Sequence, residues 1–495
     1  MDFKINKQQC ISLIASVVIF DISLVVFGID ITVIIIATLV TITFAIHTII
    51  KLSSIFKPYS KTTAINHKDY QPLVSIHLTC KNEPAELVNK TINALSKLDY
   101  PNFEVIVMNN NNNDRKNWIK IKKYVDTLGN NFTFIHLDEI KGFKAGALNY
   151  LNANHFNDKA EVNAIVDSDY LVTPDFLKET IGYFKNPKIG IVQAPQSYYN
   201  INDHNIGLSY EYRSFFALVM NQAQRLNLVT FTGTMGLIRT SLIKEGLTWN
   251  EWCITEDVEA GVHINTIGYQ GVYVDKSLGK GLMPYDYTSL AKQRQRWTYG
   301  NMQIIKKDFL SVAANRALLL KQKFAFLGLL VTWFHFELIL AVVYTFTSMV
   351  SLIVGDHYLI DFASSLMLAL ILISLVSNFF YFIVGLRKEA SIPNRIRAFL
   401  VHYGLLYVMS TSWLTCLFGK KLGFIVTEKV KPGQRIPLSQ HSREFSIIAI
   451  LAVGLLISFF AKNATMFDLM AVMLFSIIEL FGILYLYRLF VESNK

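Results

Sequence analysis

The sequence predicts a polytopic membrane protein in which an α/β domain with a mostly parallel sheet is inserted between transmembrane α-helical hairpins. Three observations support this fold class. The 495 residues are 52% hydrophobic, and a mean hydropathy of +0.34 is too high for an ordinary soluble enzyme. Residues 52–323 have the mixed charge and short alternating elements of a globular domain. Long apolar stretches lie on both sides of that domain.

The apolar stretches form three predicted hairpins, each with two spans. Lysines flank the first pair of stretches and are absent from the short hinge between them. The positive-inside rule therefore places both ends of this hairpin, and the domain that follows it, in the cytosol. The same reasoning returns the later pairs to the cytosol, so both termini are expected there. The predicted spans are 10–28, 31–50, 326–354, 362–385, 445–461 and 466–487.

Residues 396–418 are nearly long enough to form a further span. However, Arg395 and Arg397 stand at the start of this segment, and several lysines follow it. Because both flanks favour the cytosol, we interpret it as an amphipathic or re-entrant segment along the inner face of the membrane. A seventh span is the alternative.

The net charge and the cysteines limit the classes of partner and metal site that the protein could have. The formal net charge is +10. In a membrane protein much of this excess is the Lys and Arg that set orientation, and the rest suits an anionic substrate, so nucleic acid is not expected as a partner. The four cysteines include no CxxC pair, which argues against a zinc cluster and a disulfide framework.

From residue 72 the sequence alternates between short apolar runs and helical stretches. Continuous apolar strands that alternate with helices predict a parallel sheet covered on both faces. No GxGxxG follows the first strand and no GxxxxGK occurs, so dinucleotide-binding and P-loop functions are not supported. The predicted strands are 73–79, 103–109, 132–137, 161–167 and 188–194, and the predicted helices are 85–97, 114–127, 144–153 and 174–185.

Polar residues stand at the carboxyl ends of three predicted strands, the edge where ligands bind in such sheets. They are CKNEP (80–84), NNNNND (109–114) and DSD (167–169). In an extended chain Asp167 and Asp169 point the same way. Two carboxylates so placed can bind a hard divalent cation that bridges a diphosphate. Such triplets also occur in surface turns, so the position after a buried strand is what favours a metal site.

The segment TED (255–257) contains a second set of carboxylates. Thr255 is a predicted helix N-cap, which puts Glu256 and Asp257 in the first helical turn. One interpretation is simple complementarity with the helix dipole. The other is a carboxylate that acts as general base beside a sugar acceptor.

The segment KQRQRW (292–297) combines basic, amide and aromatic side chains. If residues 288–307 are helical, Gln293, Arg296 and Trp297 share one face. Arg can bind a phosphate through two hydrogen bonds, Trp offers a flat face to a sugar ring, and Gln can bond a hydroxyl. The alternative is a basic helix on the membrane surface with an interfacial Trp.

Taken in order, DxD, TED and QxxRW, with spans on both sides, resemble the processive family 2 glycosyltransferases, which include cellulose, chitin, hyaluronan and related β-glucan synthases. The resemblance runs from about residue 72 to residue 431. KGFKAGALNY (141–150) resembles the family's Lys-Ala-Gly segment, and FTGTMGLIR (231–239) resembles its acceptor-end motif. FIVTEK (424–429) matches the FxVTxK gating loop of cellulose synthases, and it follows the segment interpreted as re-entrant, where those enzymes have an interface helix.

The resemblance implies a GT-A-type cytosolic domain that performs an inverting transfer from a UDP-sugar, with Mg²⁺ or Mn²⁺ as cofactor. It implies that Asp257 is the catalytic base and that Asp169 binds the metal ion on the UDP phosphates. The other implied roles are donor binding for Glu83, Asn109, Lys144, Asp167, Gln293 and Arg296, acceptor binding for Phe231, Gly233, Thr234, Glu256 and Trp297, and gating for Phe424, Val426, Thr427 and Lys429.

The chain departs from the family's usual pattern after the second strand. Most relatives have an acidic pair there, and this chain has Asn109 and Asn110. An amide still hydrogen-bonds a uracil, so the donor site is retained in the prediction. NNNNND, GFKAGALN, EWCITED and GLMP together resemble the bacterial β-1,3-glucan (curdlan-like) synthase branch more than cellulose synthases proper, although His263 stands where that branch often has Arg.

The expected function is that of a membrane-embedded hexosyltransferase that polymerises UDP-glucose into a β-glucan and passes it across the cell's inner (plasma) membrane. Expected partners are the UDP-sugar, the growing glycan, the lipid bilayer and accessory export subunits. UDP-N-acetylglucosamine is an alternative donor. Two other functions compete: a non-processive transferase that adds one sugar to a lipid or oligosaccharide, and a transporter with a nucleotide-sensing domain. The clamp and gating motifs argue against the first, and the second leaves Asp257 without a role.

These inferences divide the chain into six segments. They are an N-terminal hairpin (1–57), a cytosolic glycosyltransferase domain (58–285), an interface helix with QxxRW (286–323), a second hairpin (324–388), an interface or re-entrant helix with the gating loop (389–440) and a C-terminal hairpin (441–495).

Overall fold

The computed structural model describes residues 7–55, 69–355, 358–419, 422 and 438–493, with the backbone alone for 7–27, 440 and 493. The predicted gating-loop residues Phe424, Val426, Thr427 and Lys429 lie outside the described residues.

The α/β domain contains nine described strands. Five of them coincide with the five predicted from apolar runs, so that prediction is confirmed. The strands are β1 (Leu73–Cys80), β2 (Phe103–Asn110), β3 (Phe132–Leu137), β4 (Ala160–Asp167), β5 (Leu171–Val172), β6 (Ile189–Gln193), β7 (Gly236–Arg239), β8 (Gln270–Tyr273) and β9 (Gly279–Lys280).

Seven strands form one sheet in the order β3-β2-β1-β4-β7-β6-β8, and β5 pairs with β9. The pairs among β3, β2, β1 and β4 are parallel, as is the pair of β6 and β8. β7 runs antiparallel to both of its neighbours, β4 and β6. The sheet is therefore mostly parallel, as predicted, but β7 was missed because four residues are too few for a periodic pattern.

Burial explains why these segments form strands. Val74, Ile76 and Leu78 on β1 are fully buried, and the apolar residues of β4 are buried on both faces. A sheet buried on both faces needs continuous apolar strands. The helices that cover it or follow it are α2 (Ala85–Leu95), α3 (Arg115–Val125), α4 (Phe143–Asn154), α5 (Phe176–Thr180), α6 (Ile206–Ser214), α7 (Asn221–Arg225), α8 (Thr240–Lys244) and α9 (Glu256–Thr266), with a 3₁₀ turn at Ile181–Lys185 and a π-helical turn at Phe215–Met220.

The remaining helices form a bundle beside the domain, and their contacts with one another bury a large apolar core. Among the described residues four helices are long and apolar enough to cross a membrane: Gly28–Ser53, Glu337–Val354, Tyr358–Lys388 and Met466–Glu492. The bundle helices are α1 (Lys7–Ser53), α10 (Tyr287–Ala314), α11 (Leu320–Val331), α12 (Glu337–Val354), α13 (Tyr358–Gly385), α14 (Ile392–Tyr403), α15 (Leu406–Leu417), α16 (Phe445–Phe460) and α17 (Met466–Ser493).

The helix bounds refine the predicted spans. The break at Gly28, whose φ of 77° is left-handed, lies at the predicted hinge of the first hairpin. The stretch 326–354, predicted as one span, is divided at 332–336 between α11 and α12. The segment 396–418 forms α14 and α15, which meet at 44° and could be a broken span or a re-entrant loop. The six-span topology and the inward orientation stay predictions.

Gly261 on α9 provides a test of how tightly the fold packs around the site. A Cβ there would lie 2.0 Å from Thr230 Oγ1 and 2.6 Å from the Phe231 backbone nitrogen. Gly261→Ala is expected to push α9 away from this loop and to cost about 1–3 kcal/mol. The thermal unfolding midpoint in detergent should fall by several degrees. Gly129→Ala is the matched control, because its Cβ would meet only the Asn131 side chain, at 3.1 Å; equal midpoints for the two variants would contradict the packing argument.

Candidate active site

A cleft of about 480 Å³ opens at the carboxyl ends of β1 and β4, between the sheet and α10. This is the edge at which parallel α/β sheets bind ligands. The structure brings together in this cleft most of the residues that the sequence singles out. Those lining it are Glu83, Lys144, Asp167, Asp169, Gly233, Glu256, Asp257, Gln293, Arg296 and Trp297.

Lys144 joins two distant parts of the cleft. Its Nζ lies 2.5 Å from Asp167 Oδ1 and donates a second hydrogen bond, 2.7 Å long, to the carbonyl of Gly233. Burial alone would lower the pKa of Lys144, but the negative charges of Asp167, Glu256 and Asp257 raise it above the ordinary value. Lys144 therefore remains a cation in the cleft.

The start of α4 explains how Lys144 reaches this position. Gly142 and Phe143 both have left-handed backbone, with φ of 81° and 54°. The positive φ of Gly142 favours glycine, and a Cβ there would also displace the Glu251 side chain, which lies 2.3 Å away. Phe143 adopts a conformation that costs energy for a bulky residue, and its ring is half exposed at the cleft wall. The strained pair turns the chain so that Lys144 points inward.

Asp169 follows Asp167 at the end of β4 and is buried, with Oδ2 accepting a hydrogen bond of 3.2 Å from the Leu282 N–H. Among the described residues no group of three or more His, Cys, Asp or Glu side chains is arranged to hold a metal by itself. Mg²⁺ and Mn²⁺ in nucleotide sites are commonly held by one or two carboxylates plus phosphate oxygens and water. The Asp167–Asp169 pair beside Lys144 fits that arrangement.

Glu256 and Asp257 occupy the first turn of α9. Thr255 is the N-cap residue of this helix, as predicted, but its side chain makes no capping hydrogen bond and lies against Gly300 on α10. Burial raises the pKa of Asp257, while hydrogen bonds from the backbone N–H groups of the helix start and the charge of Lys144 oppose that rise. Burial and the neighbouring charge of Asp257 raise the pKa of Glu256 to about 7. Because the two charges repel each other, protonation of one carboxylate lowers the pKa of the other.

Gly233 lies against Asp257. Its φ of 85° is left-handed, and a Cβ there would lie 2.8 Å from Asp257 Oδ2. The absence of a side chain at residue 233 is what lets Asp257 approach the Lys144-bound carbonyl. Glycine is needed here because another side chain approaches the backbone closely, and not because the backbone must be flexible.

α10 presents Gln293, Arg296 and Trp297 to the cleft, as the helical spacing predicts. Gln293 accepts a hydrogen bond from the Tyr212 hydroxyl. Burial lowers the pKa of Arg296, and the carboxylates of Glu256, Asp257 and Asp167 oppose the shift. An arginine keeps its charge in proteins, so Arg296 is a second cation in the cleft.

A smaller cavity of about 60 Å³ adjoins the cleft on the side of the helix bundle. Asp257 and Trp297 border both spaces. Most of the remaining wall is aromatic or apolar and includes Tyr212, Phe215 and Trp333. An aromatic wall next to a carboxylate is suited to a sugar ring, whose C–H groups pack on ring faces while its hydroxyls need polar partners.

Three predicted site residues do not line the cleft. Asn109 is fully buried and its amide bonds the Lys81 carbonyl at 3.0 Å and His136 at 3.0 Å, whereas Asn110 and Asn111 line the cleft instead. Phe231 is buried against Trp249 in the core. Thr234 is buried too, and its hydroxyl accepts a 3.0 Å hydrogen bond from the Asp167 N–H. Phe231 and Thr234 lie in the layer beneath the cleft surface and support the residues that line it.

Sequence reasoning missed several side chains that line the two spaces. Gln196 and Tyr198 come from the segment that follows β6, and Met283 comes from GLMP, which follows β9. The carboxyl-end rule would have found the first two, since β6 was predicted. Tyr212 and Trp333 had no detectable signal because they lie outside the α/β pattern.

Comparison with known proteins agrees with this geometry. A glycosyltransferase-like family 2 model matches residues 72–300, and a cellulose synthase model matches residues 239–398. Glucomannan 4-beta-mannosyltransferase 7 of Arabidopsis thaliana is 27% identical over 244 residues, covering 48% of this chain and 44% of that protein. Probable glucomannan 4-beta-mannosyltransferase 7 of Oryza sativa subsp. japonica is 27% identical over 263 residues, covering 51% and 44%. The chain thus spans less than half of the length of these two relatives.

Among solved structures, the mannosyltransferase PcManGT from Pyrobaculum calidifontis, in complex with GDP-Man and Mn²⁺, aligns with a TM-score of 0.52. The alignment covers 79% of this chain and 100% of that one at 15% identity, so the likeness concerns the fold.

The sheet topology and this likeness define the fold: a GT-A fold flanked by several apolar helices. The two family models add that residues 72–300 are similar to family 2 glycosyltransferases and that residues 239–398 are similar to cellulose synthases.

Thr234 tests whether a residue behind the cleft controls its geometry. Thr234→Val keeps the shape of the side chain but leaves the Asp167 N–H without its acceptor, which costs about 1–3 kcal/mol when the group is buried. We expect a lower thermal midpoint and weaker binding of UDP in the presence of Mn²⁺, measured by calorimetry. Thr240→Val is the matched control, because that buried hydroxyl makes only a 3.4 Å contact with Asn163; if both variants bind UDP equally, Thr234 does not position Asp167.

Proposed function

We propose that this protein transfers hexose units from a nucleotide sugar to the end of a growing β-linked glycan, with inversion at the anomeric carbon. The observation that carries the proposal is the position of Asp257, a partly buried carboxylate that borders both the large cleft and the aromatic cavity. A general base for this reaction needs to face the donor and the acceptor at once. Asp257 meets that requirement.

The large cleft is the proposed donor site. Lys144 and Arg296 supply positive charge for a diphosphate, and Arg can bind its oxygens through two hydrogen bonds. Asp169, with Asp167 beside it, would hold Mg²⁺ or Mn²⁺, which when bound neutralises charge on the departing nucleotide diphosphate. Asn110 and Asn111 take the place proposed for Asn109 at the wall of the donor site.

The aromatic cavity is the proposed acceptor site. Trp297 packs against the terminal sugar, and Asp257 accepts the proton of the attacking hydroxyl as the new bond forms. The base must be ionised before it can accept this proton. The raised pKa of Asp257 brings its proton affinity closer to that of a useful base at neutral pH.

Two donors are proposed, with different support. UDP-glucose, with a β-glucan product of the curdlan-like kind, is supported by the motif resemblance. A mannose donor is supported by the names of the curated relatives, which are glucomannan mannosyltransferases, and GDP-Man is the nucleotide sugar bound in the PcManGT structure. UDP-N-acetylglucosamine is retained as a third donor to test.

We further propose that the helix bundle anchors the enzyme in the plasma membrane, with the α/β domain and both termini on the cytosolic side, and that the polymer leaves through the bundle. Four helices of spanning length and the position of the aromatic cavity on the bundle side of the cleft support this arrangement. Accessory export subunits belong to the same proposal.

The first experiment is a donor screen with purified protein in nanodiscs and Mn²⁺ or Mg²⁺. UDP-glucose, GDP-mannose and UDP-N-acetylglucosamine, each radiolabelled, are supplied separately, and nucleotide release and high-mass product are followed. Long product from one donor, digestible by a linkage-specific glycanase, supports the proposal and names the polymer. Release with only short or lipid-linked product favours the single-transfer alternative. Binding without turnover of any donor overturns the proposal.

Asp257→Asn tests the base directly. The amide keeps the shape of the side chain but cannot accept the proton, so transfer should fall by at least 10²-fold. Binding of the nucleoside diphosphate, measured by calorimetry, should change little. Asp203→Asn, at an exposed position, is the matched control and should transfer at the wild-type rate. An active Asp257→Asn enzyme would remove Asp257 from this role.

The coupled carboxylates predict the pH dependence of transfer. Burial raises the pKa of Asp257 above that of an ordinary aspartate, and the pKa of its neighbour Glu256 is raised to about 7. Asp257 therefore takes up a proton, and is lost as a base, at a higher pH than an ordinary aspartate would. The rate at limiting donor should fall as the pH is lowered from 8 to 5. Glu256→Gln removes one of the two repelling charges, which lowers the pKa of Asp257 and should move this fall to lower pH. A profile that is flat from pH 8 to pH 5 would contradict the assignment.

A further inference from the structure

The second arginine of the QRQRW segment, Arg294, is not explained by the donor site. It stands two positions before Arg296 on α10, and residues two apart on a helix point in nearly opposite directions. Arg296 faces the cleft, while the side chain of Arg294 is fully buried and lines neither cavity. A fully buried arginine is rare, since removing its charge from water is costly.

The guanidinium of Arg294 packs against three aromatic rings. Its central carbon lies 4.2 Å from the ring centre of Tyr212, 4.5 Å from that of Trp297 and 4.7 Å from that of Trp333. All three rings border the small cavity beside Asp257. Within the described part of the chain, Nε and Nη1 of Arg294 make no hydrogen bond. The ring faces therefore provide the surroundings for that side of the cation.

The other side of Arg294 forms an ion pair with Glu211 on α6, which is also fully buried. Glu211 also contacts His402 of the helix bundle, whose Nδ1 lies 3.4 Å from Glu211 Oε1. The Nε2 atoms of His402 and His335 are 2.9 Å apart. His335 belongs to the turn between α11 and α12 that also contains Trp333. The cation is thus held at a defined depth behind the rings.

We propose that Arg294, held by Glu211, is a positioning residue for the acceptor: it orients Tyr212, Trp297 and Trp333 so that a sugar ring can pack beside Asp257. A planar cation can contact three ring faces at once, whereas the compact ammonium of lysine cannot. The inference rests on the proposed function, because it assigns the acceptor to the aromatic cavity. It predicts that loss of Arg294 weakens acceptor use and leaves donor use nearly intact.

The test compares the Arg294→Met/Glu211→Leu double variant with wild type in nanodiscs. Replacing both partners removes the cation without leaving a buried charge unpaired, so the fold is retained. The donor is the one identified by the screen, and cellopentaose and mannopentaose serve as acceptors. The KM for the pentaose should rise at least tenfold, while the donor KM and the rate of donor hydrolysis without acceptor stay within about threefold of wild type. The single variant Arg294→Lys should also raise the KM for the pentaose.

Arg213→Met is the matched control. Arg213 is an ion-paired arginine on α6, the helix that carries Glu211. It bonds Asp275 at 2.7 Å and Glu389 at 2.9 Å and borders neither cavity. If the double variant and Arg213→Met change acceptor and donor KM in equal proportion, Arg294 has only a structural role and the inference is overturned. If the wild-type protein turns over no donor, the proposed function fails instead, so the two failures are distinguishable.

Discussion

The site depends on the two hydrogen bonds donated by the ammonium group of Lys144. They join the start of α4, the end of β4 and the loop before β7 at one point. Through Asp167 the ammonium group fixes the end of β4, and through the carbonyl of Gly233 it fixes the loop that leads into β7. That loop in turn lies against Asp257 at the start of α9. A change in the position of one of these segments would therefore shift the others, and the β4 and α9 sides of the cleft form one structural unit.

The same arrangement concentrates carboxylates at the edge of the sheet. Carboxylates and cations both line the cleft: Glu83, Asp167, Asp169, Glu256 and Asp257, with Lys81, Lys141, Lys144 and Arg296. Burial is the largest cause of the raised pKa values of Glu256 and Asp257, and a neighbouring carboxylate adds to each. A diphosphate accompanied by a divalent cation would therefore meet charges of the opposite sign for both of its parts.

Much of the fold could be predicted because buried parallel strands leave a clear apolar signal, and the ends of β1 and β4 therefore marked the cleft. The direction in which each side chain points was harder to infer. Successive residues of a strand face opposite sides, and a run of identical asparagines does not reveal that Asn110, rather than Asn109, faces the cleft. A motif places Phe231 near the site but does not say which way its ring points. The role of Arg294 depends on Glu211, 83 residues earlier, and no local pattern connects the two.

The antiparallel strand β7 has a consequence for how the chain acquires its structure during synthesis. Strands β1, β2 and β3 pair in sequence order, β4 returns to pair with β1, and all four are complete by residue 167. In contrast, β6 reaches the sheet only through β7 and pairs with β8, which ends at Tyr273. Contacts between distant residues form late because long loops must first close. The half of the sheet that carries Asp167 and Asp169 can therefore assemble first on the ribosome. The half that positions Asp257 joins the first half only when the four-residue strand β7 has formed between them. A translational pause or a destabilising substitution at β7 would therefore leave an incomplete sheet exposed.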